Sequence, residues 1–200
     1  TPDETNPGKD GLREIVDRWL DPANVAWLKS YERYLILNIA NEWGPDSTVW
    51  LNSYKEAVTR LRGAGIKALL MVDAVASLGC MPFDMDAWGV DVTMAGSQKG
   101  LMTPPGLAFV AANDRARAAH KTANLRTLYW DWTFREGEIH YQKYCGTPPE
   151  HLLFALRKAL DMLLAEGLEG AFRRHALLAQ ATRVAVERWA EGQVLAFNIS

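Results

Sequence analysis

LLMVDAVASLG (residues 69–79) and AGSQKGLMTPPGL (residues 95–107) decide how this chain is read. The first opens as a short run of Leu, Met and Val, the pattern of a buried strand. It ends on Asp73 and passes into small residues that favour a turn. The second places Lys99 among small residues and glycine, with Pro104-Pro105 downstream. Strand-like runs at 90–94 and 107–111 bracket it, so a sheet whose loops carry the lysine is expected.

An acid and a lysine at such strand ends are what an enzyme needs to hold pyridoxal phosphate. The lysine amine forms an imine with the aldehyde, and the acid pairs with the protonated ring nitrogen. Taken singly, both residues have plainer readings. Lysine is mostly a surface charge, and an aspartate at a strand end is often a turn former.

Bulk properties narrow the class. The 200 residues fit one domain or one and a half, with the composition of a soluble globular protein. A net charge of −2 gives no reason to expect a nucleic acid or a membrane surface as partner. Two cysteines, Cys80 and Cys145, are too few for a disulfide framework and form no CxxC pair, so no metal is expected. A reducing, cytoplasmic setting is the default. No apolar run approaches the roughly 20 residues of a membrane span. The polar opening TPDETNPGKDG shows no signal peptide and no initiator methionine, and the close, VLAFNIS, is strand-like. Both ends read as cut.

Asp10 would cap a first helix with Leu12, Ile15, Val16, Trp19 and Leu20 on one face. Asp21-Pro22 breaks it, and a second short helix runs to Lys29. Tyr34 to Ala40 reads as a buried strand, 49–63 as a helix ended by Gly63-Ala64-Gly65, and Lys67 to Val72 as another strand. Residues 34–73 are therefore a βαβ unit with a right-handed crossover expected. Asn113 to Lys121 is a basic surface helix, and 125–147 is aromatic and irregular. Pro148-Pro149 opens an amphipathic helix with a stripe of Leu152, Leu153, Leu156, Leu160, Leu163 and Leu164, ended by Gly167. A longer helix spans Leu168 to Glu191, and Gln193 to Ile199 is a last strand.

From about Leu70 onward, four stretches carry a family resemblance: VDAVASLG at 72–79, WGVDVTMAGSQKG at 88–100, PPGL at 104–107 and YCGTPPEHLLFALRKAL at 144–160. Together they resemble the class V aminotransferases, closest to the serine–glyoxylate and alanine–glyoxylate (serine–pyruvate) group. The resemblance implies an α/β fold, a partial fold-type I large domain over 73–147 and the start of a smaller C-terminal domain over 148–200. It implies that Lys99 bonds the cofactor aldehyde, Asp73 pairs with the pyridine nitrogen, Val75 packs against the ring and Gln98 contacts the cofactor. Tyr144 and Thr147 would reach the cofactor phosphate of a neighbouring subunit, so a homodimer is implied. The substrates implied are a small amino acid, serine or alanine, and a 2-oxo acid such as glyoxylate or pyruvate. Without the family, Tyr144 reads as packing, and Trp88, Trp130 and Trp132 as core or interface.

The first third resembles a different family. GLREIVDRWLDPANVAWLKSYERYLILNIANEWG, followed by RLRGAGIKALLMVDA, is similar to the family 5 glycoside hydrolases, (β/α)8-barrel cellulases and mannanases. That resemblance makes residues 1–72 a βαβ fragment of a barrel, with Glu42 the general acid/base and Asn41 its sugar-binding neighbour. Retaining hydrolysis needs a second carboxylate on a later strand, and none is offered. Two strand candidates of eight cannot close a barrel, so a turn role for Asn41 and Glu42 stands beside the catalytic one. LLMVDA fits both families, so a chimera joined near residues 69–74 is expected, with a non-catalytic module as a further possibility. The aminotransferases' glycine-rich phosphate loop and ring-stacking aromatic belong upstream, where the hydrolase-like segment lies, and their substrate-carboxylate arginine belongs beyond Ser200. Weak or no turnover by this chain alone is the expectation.

Overall fold

The computed structural model describes residues 11–32 and 48–191, with side chains at 13–32 and 55–191. These residues fall into two compact units divided between Leu70 and Met71. The expected strands at 34–40 and 193–199, and the pair Asn41 and Glu42, lie outside the described residues.

The first unit is helical: α1 (Gly11–Leu20), α2 (Pro22–Tyr31) and α3 (Thr48–Gly63). Asp21 ends α1 and starts α2, because its carboxylate accepts from the Ala23 N–H at 3.0 Å and Pro22 needs no donor partner in the first turn. Leu28, Leu61 and Ile66 form a buried cluster against which Trp19, Leu20 and Ala68 pack. Val16 is fully buried, whereas Ile15, expected on the same face, is exposed. Ion pairs Arg13–Glu56 (2.7 Å) and Arg60–Asp17 tie α1 to α3. Both are solvent-facing and add little stability.

The second unit is built on a three-stranded sheet in the order β1 (Met71–Asp73), β2 (Val92–Gly96), β3 (Ala108–Ala112). β1 and β2 are parallel, with Asp73 opposite Met94; β2 and β3 are antiparallel, with Gly96 opposite Ala108. The strand expected from Lys67 starts only at Met71. Ile66 and Ala68 are drawn instead into the helical cluster of the first unit.

β3 leads into α4 (Asp114–Thr122), capped by the Asn113 side-chain oxygen Oδ1, which accepts from the Ala116 N–H at 3.0 Å. The aromatic stretch read as irregular contains two short helices, α5 (Trp132–Arg135) and α6 (His140–Tyr144). Side chains make them: Asp131 accepts from the Thr133 and Phe134 N–H groups, and Gln142 accepts from the Ile139 N–H. α7 (Glu150–Glu166) and α8 (Leu168–Glu191) follow at the expected bounds.

Leu101, Leu163 and Ala171 form the buried cluster of this unit, with Leu78, Phe109, Leu156 and Leu160 packed around it. The leucine stripe of α7 is narrower than expected, since Leu164 is exposed. No helix among the described residues is long and apolar enough to cross a membrane.

One strand residue is poorly matched to its surroundings. Thr93, in the middle of β2, is buried, and its Oγ1 has no hydrogen-bond partner. An unmet buried hydroxyl costs about 1–3 kcal/mol, and valine has nearly the same shape. Thr93→Val is therefore expected to raise stability by about 1 kcal/mol, read as a higher urea midpoint at unchanged slope. A lower midpoint would show that the hydroxyl is satisfied.

Candidate functional site

The sheet places both residues of the opening pair at one edge. Asp73 is the last residue of β1, and Lys99 lies three residues past the end of β2, which runs parallel to it. Both therefore stand at the carboxyl edge of the parallel pair, where open α/β sheets bind ligands. Asp73, Gln98 and Lys99 are exposed.

Each carries a local restraint. One Asp73 carboxylate oxygen accepts from the Val75 N–H at 2.8 Å. That bond orients the carboxylate and fixes the turn that leads to Val75, itself half-buried. The Gln98 side chain folds back over Gly96; an added Cβ there would lie 2.7 Å from Gln98 Oε1.

The two loops are in contact. A Cβ on Gly100 would lie 2.2 Å from the carbonyl oxygen of Leu78 and 2.8 Å from Cys80 Sγ. Gly79 has φ +79, and a Cβ there would meet the Gly100 carbonyl oxygen at 3.3 Å. Leu78 and Leu101, just beyond the two functional residues, enter the same apolar cluster under α7 and α8. The loops of Asp73 and Lys99 are thus locked to each other and to one core. Burial pushes the Cys80 thiol up from its ordinary pKa, with the Arg174 charge opposing, so Cys80 is a packing residue at this contact and a poor nucleophile.

Tyr144 and Thr147 flank the turn that ends α6. Cys145 takes the left-handed conformation (φ 54), and the Gly146 N–H bonds to Tyr141 O at 3.1 Å. Both side chains are exposed. No hydrogen bond or ion pair among the described residues joins them to Asp73, Gln98 or Lys99. The structure thus gathers Asp73, Val75, Gln98 and Lys99 and leaves Tyr144 and Thr147 on a separate segment.

Three supporting groups were not singled out in the sequence. Arg135 donates to the carbonyls of Lys143 (2.8 Å) and Tyr129 (3.1 Å) and lies over the Tyr129 ring, so it ties the aromatic stretch to the residue before Tyr144. Asp91, buried at the opposite end of β2, accepts from Arg115 at 2.5 Å and Asn113 at 3.0 Å and holds the start of α4. Asp131, besides capping α5, lies 3.3 Å from His120 Nε2. Partial burial works against its charge, but the N–H groups of Phe134 and Thr133 and the side chains of Arg126 and His120 outweigh it and hold its pKa below the ordinary aspartate value.

The comparisons with known proteins fit this arrangement. The family model for aminotransferase class-V matches residues 48–196. The chain belongs to the class V aminotransferases. This class V chain is 48% identical over 132 residues to the soluble hydrogenase small subunit of Synechococcus sp., covering 66% of the chain and 34% of that relative. It is 39% identical over 166 residues to the serine–glyoxylate aminotransferase of Methylorubrum extorquens, covering 80% of the chain and 40% of that relative. Among solved structures, pyridoxamine-pyruvate aminotransferase from Mesorhizobium loti superposes with a TM-score of 0.62 at 29% identity, over 84% of the chain and 43% of that structure. The class V chain thus spans about a third to two fifths of the length of the curated relatives it matches. The family match begins at residue 48, upstream of the join expected near 69–74.

Two outcomes follow for the site. Gly100→Ala is expected to lower stability by about 1–3 kcal/mol, the usual cost of overpacking. Gly63→Ala, where a Cβ meets nothing within 4 Å, is expected to be neutral or stabilising. Equal urea midpoints for the two would refute the loop contact. For Asp131, the lowered folded pKa gives stability that is present above the ordinary aspartate value of about 3.9 and is lost as pH falls through the folded value. The stability difference between wild type and Asp131→Asn should therefore shrink on acidification across that window. A difference flat with pH would sink the assignment.

Proposed function

We propose that this chain is part of a pyridoxal-phosphate-dependent aminotransferase that moves an amino group from a small amino acid, serine or alanine, to a 2-oxo acid such as glyoxylate or pyruvate. One observation carries the reading: Asp73 and Lys99 share the carboxyl edge of β1 and β2 on loops that touch at Gly79 and Gly100. The names of the relatives, serine–glyoxylate aminotransferase among them, support the substrate class.

The residues present suit the cofactor. Pyridoxal phosphate, when bound, supplies an aldehyde for amine exchange and a ring that draws electron density from the substrate α-carbon. Lys99 would offer its primary amine to the aldehyde and would move a proton as acid and base at the reacting carbon. Asp73, its carboxylate oriented by the Val75 N–H, would hold the proton on the ring nitrogen. Val75 would give the ring an apolar contact, and Gln98 a polar one. Tyr144 and Thr147, exposed and apart from this pair, are assigned to the cofactor phosphate of a partner subunit, which makes the working form a homodimer.

Within this reading residues 73–147 belong to the large domain and 148–200 open the C-terminal domain. The alternative in which Glu42 and Asn41 cleave a β-1,4-glycan has no observation in its favour, and the barrel and chimera readings of residues 1–72 stand with it.

The test is absorbance after adding pyridoxal phosphate to the purified chain. A band moving toward the visible, absent in Lys99→Ala, is expected. Asp73→Asn should keep the band with weaker cofactor retention. Folded wild-type protein without a band would sink the reading.

A further inference from the structure

Lys99 poses a geometric problem. Its side chain is exposed, and among the described residues its ammonium has no hydrogen bond or ion pair. Nothing at the tip holds the amine in place, so what the fold fixes is the backbone from which it projects.

That backbone is closed into a ring by two buried hydroxyls. Ser97 is fully buried, and its Oγ donates to Pro104 O at 3.0 Å and lies 3.4 Å from the Leu107 N–H. The Ser97 N–H bonds to Leu107 O at 3.1 Å. Thr103, also buried, donates from Oγ1 to Ser97 O at 2.9 Å and from its N–H to the same oxygen at 3.1 Å. Inside the ring the Met102 N–H bonds to Lys99 O at 2.9 Å, and Met102 is left-handed at φ 58. Such a conformation persists in a residue with a side chain only when its surroundings over-determine it. Pro104 disfavours helical backbone at Thr103.

We infer that Ser97 and Thr103 are positioning residues: they clip the 97–104 turn shut so that the Lys99 side chain projects from one fixed backbone. This rests on the assignment of Lys99 as the amine that meets the aldehyde. The clip would act by removing backbone freedom from the reacting group, the source of high effective concentration in oriented reactions. A residue that merely stabilised the fold would loosen the whole unit when removed. A clip loosens the turn.

Two measurements separate these. The Lys99–Gly100 bond is a tryptic site in a folded turn, and cleavage follows the population of the open turn. In Thr103→Val, of nearly unchanged shape, cleavage after Lys99 is expected to rise at least about tenfold, with cleavage after Lys158 in α7 unchanged. Thr103→Ser should restore the wild-type rate, and Ser97→Ala should behave as Thr103→Val. Cleavage at Lys99 no faster than wild type, or rising equally at Lys158, would overturn the inference. In parallel, pyridoxal phosphate is trapped on the folded chain with cyanoborohydride and the modified lysine located by mass spectrometry. Wild type should be labelled at Lys99, and Thr103→Val about tenfold more slowly. Faster cleavage with unchanged labelling would also overturn the positioning role. No label on wild-type Lys99 would remove the cofactor reading, while the tryptic comparison would still decide whether the clip exists.

Discussion

The carbonyl oxygen of Leu78 occupies the space that any side chain on Gly100 would need, and Gly79 rests in turn on the Gly100 carbonyl. This meeting of two backbones is the constraint on which the site depends. Asp73 is six residues before Gly79, and Lys99 is the residue before Gly100. The separation of the two backbone segments that carry the carboxylate and the amine is thus set through main-chain atoms. Side-chain contacts across the same gap would leave both loops free to shift.

Below this contact the apolar cluster does complementary work. Leu78 and Leu101 enter it from the two loops, Phe109 from β3, and Leu156, Leu160, Leu163 and Ala171 from the last two helices. Each loop is thereby drawn down onto the helices while being pressed against the other. At the far end of β2, buried Asp91 gathers Asn113 and Arg115 and ties the sheet to α4. A buried acid of this kind persists only when paired, and its pairing secures the strand that ends at the Lys99 turn. β2 is thus anchored by polar contacts at one end and by apolar contacts at the other.

Much of this was legible in the residues, and the exceptions have physical causes. α7 and α8 announce themselves through apolar spacing and through Pro149 and Gly167 at their ends, and α4 through its basic run. The strand pair around the lysine follows from the apolar runs on either side. α5 and α6 escaped because they are too short for periodicity and exist through the capping of Asp131 and Gln142. Ser97 read as one more small residue beside a lysine; its complete burial depends on Pro104 and Leu107 folding back over it. Gly79 and Gly100 were visible as glycines, but no local pattern pairs them. Val75 and Gln98 were placed by family likeness, and the structure adds the Asp73–Val75 bond and the fold of Gln98 over Gly96.

The antiparallel pairing of β2 with β3 has a consequence for how the site comes into being. The lysine turn and both strands that close it form one contiguous stretch, so the chain can bring them together by closing a single short loop. Asp73 reaches the same edge only through a parallel pairing, across the turns and loop that separate β1 from β2. Loop-closure entropy must be spent before such non-local pairing is rewarded. The order of assembly is therefore built into the topology: the amine's platform can form from local contacts, and the carboxylate is docked onto it.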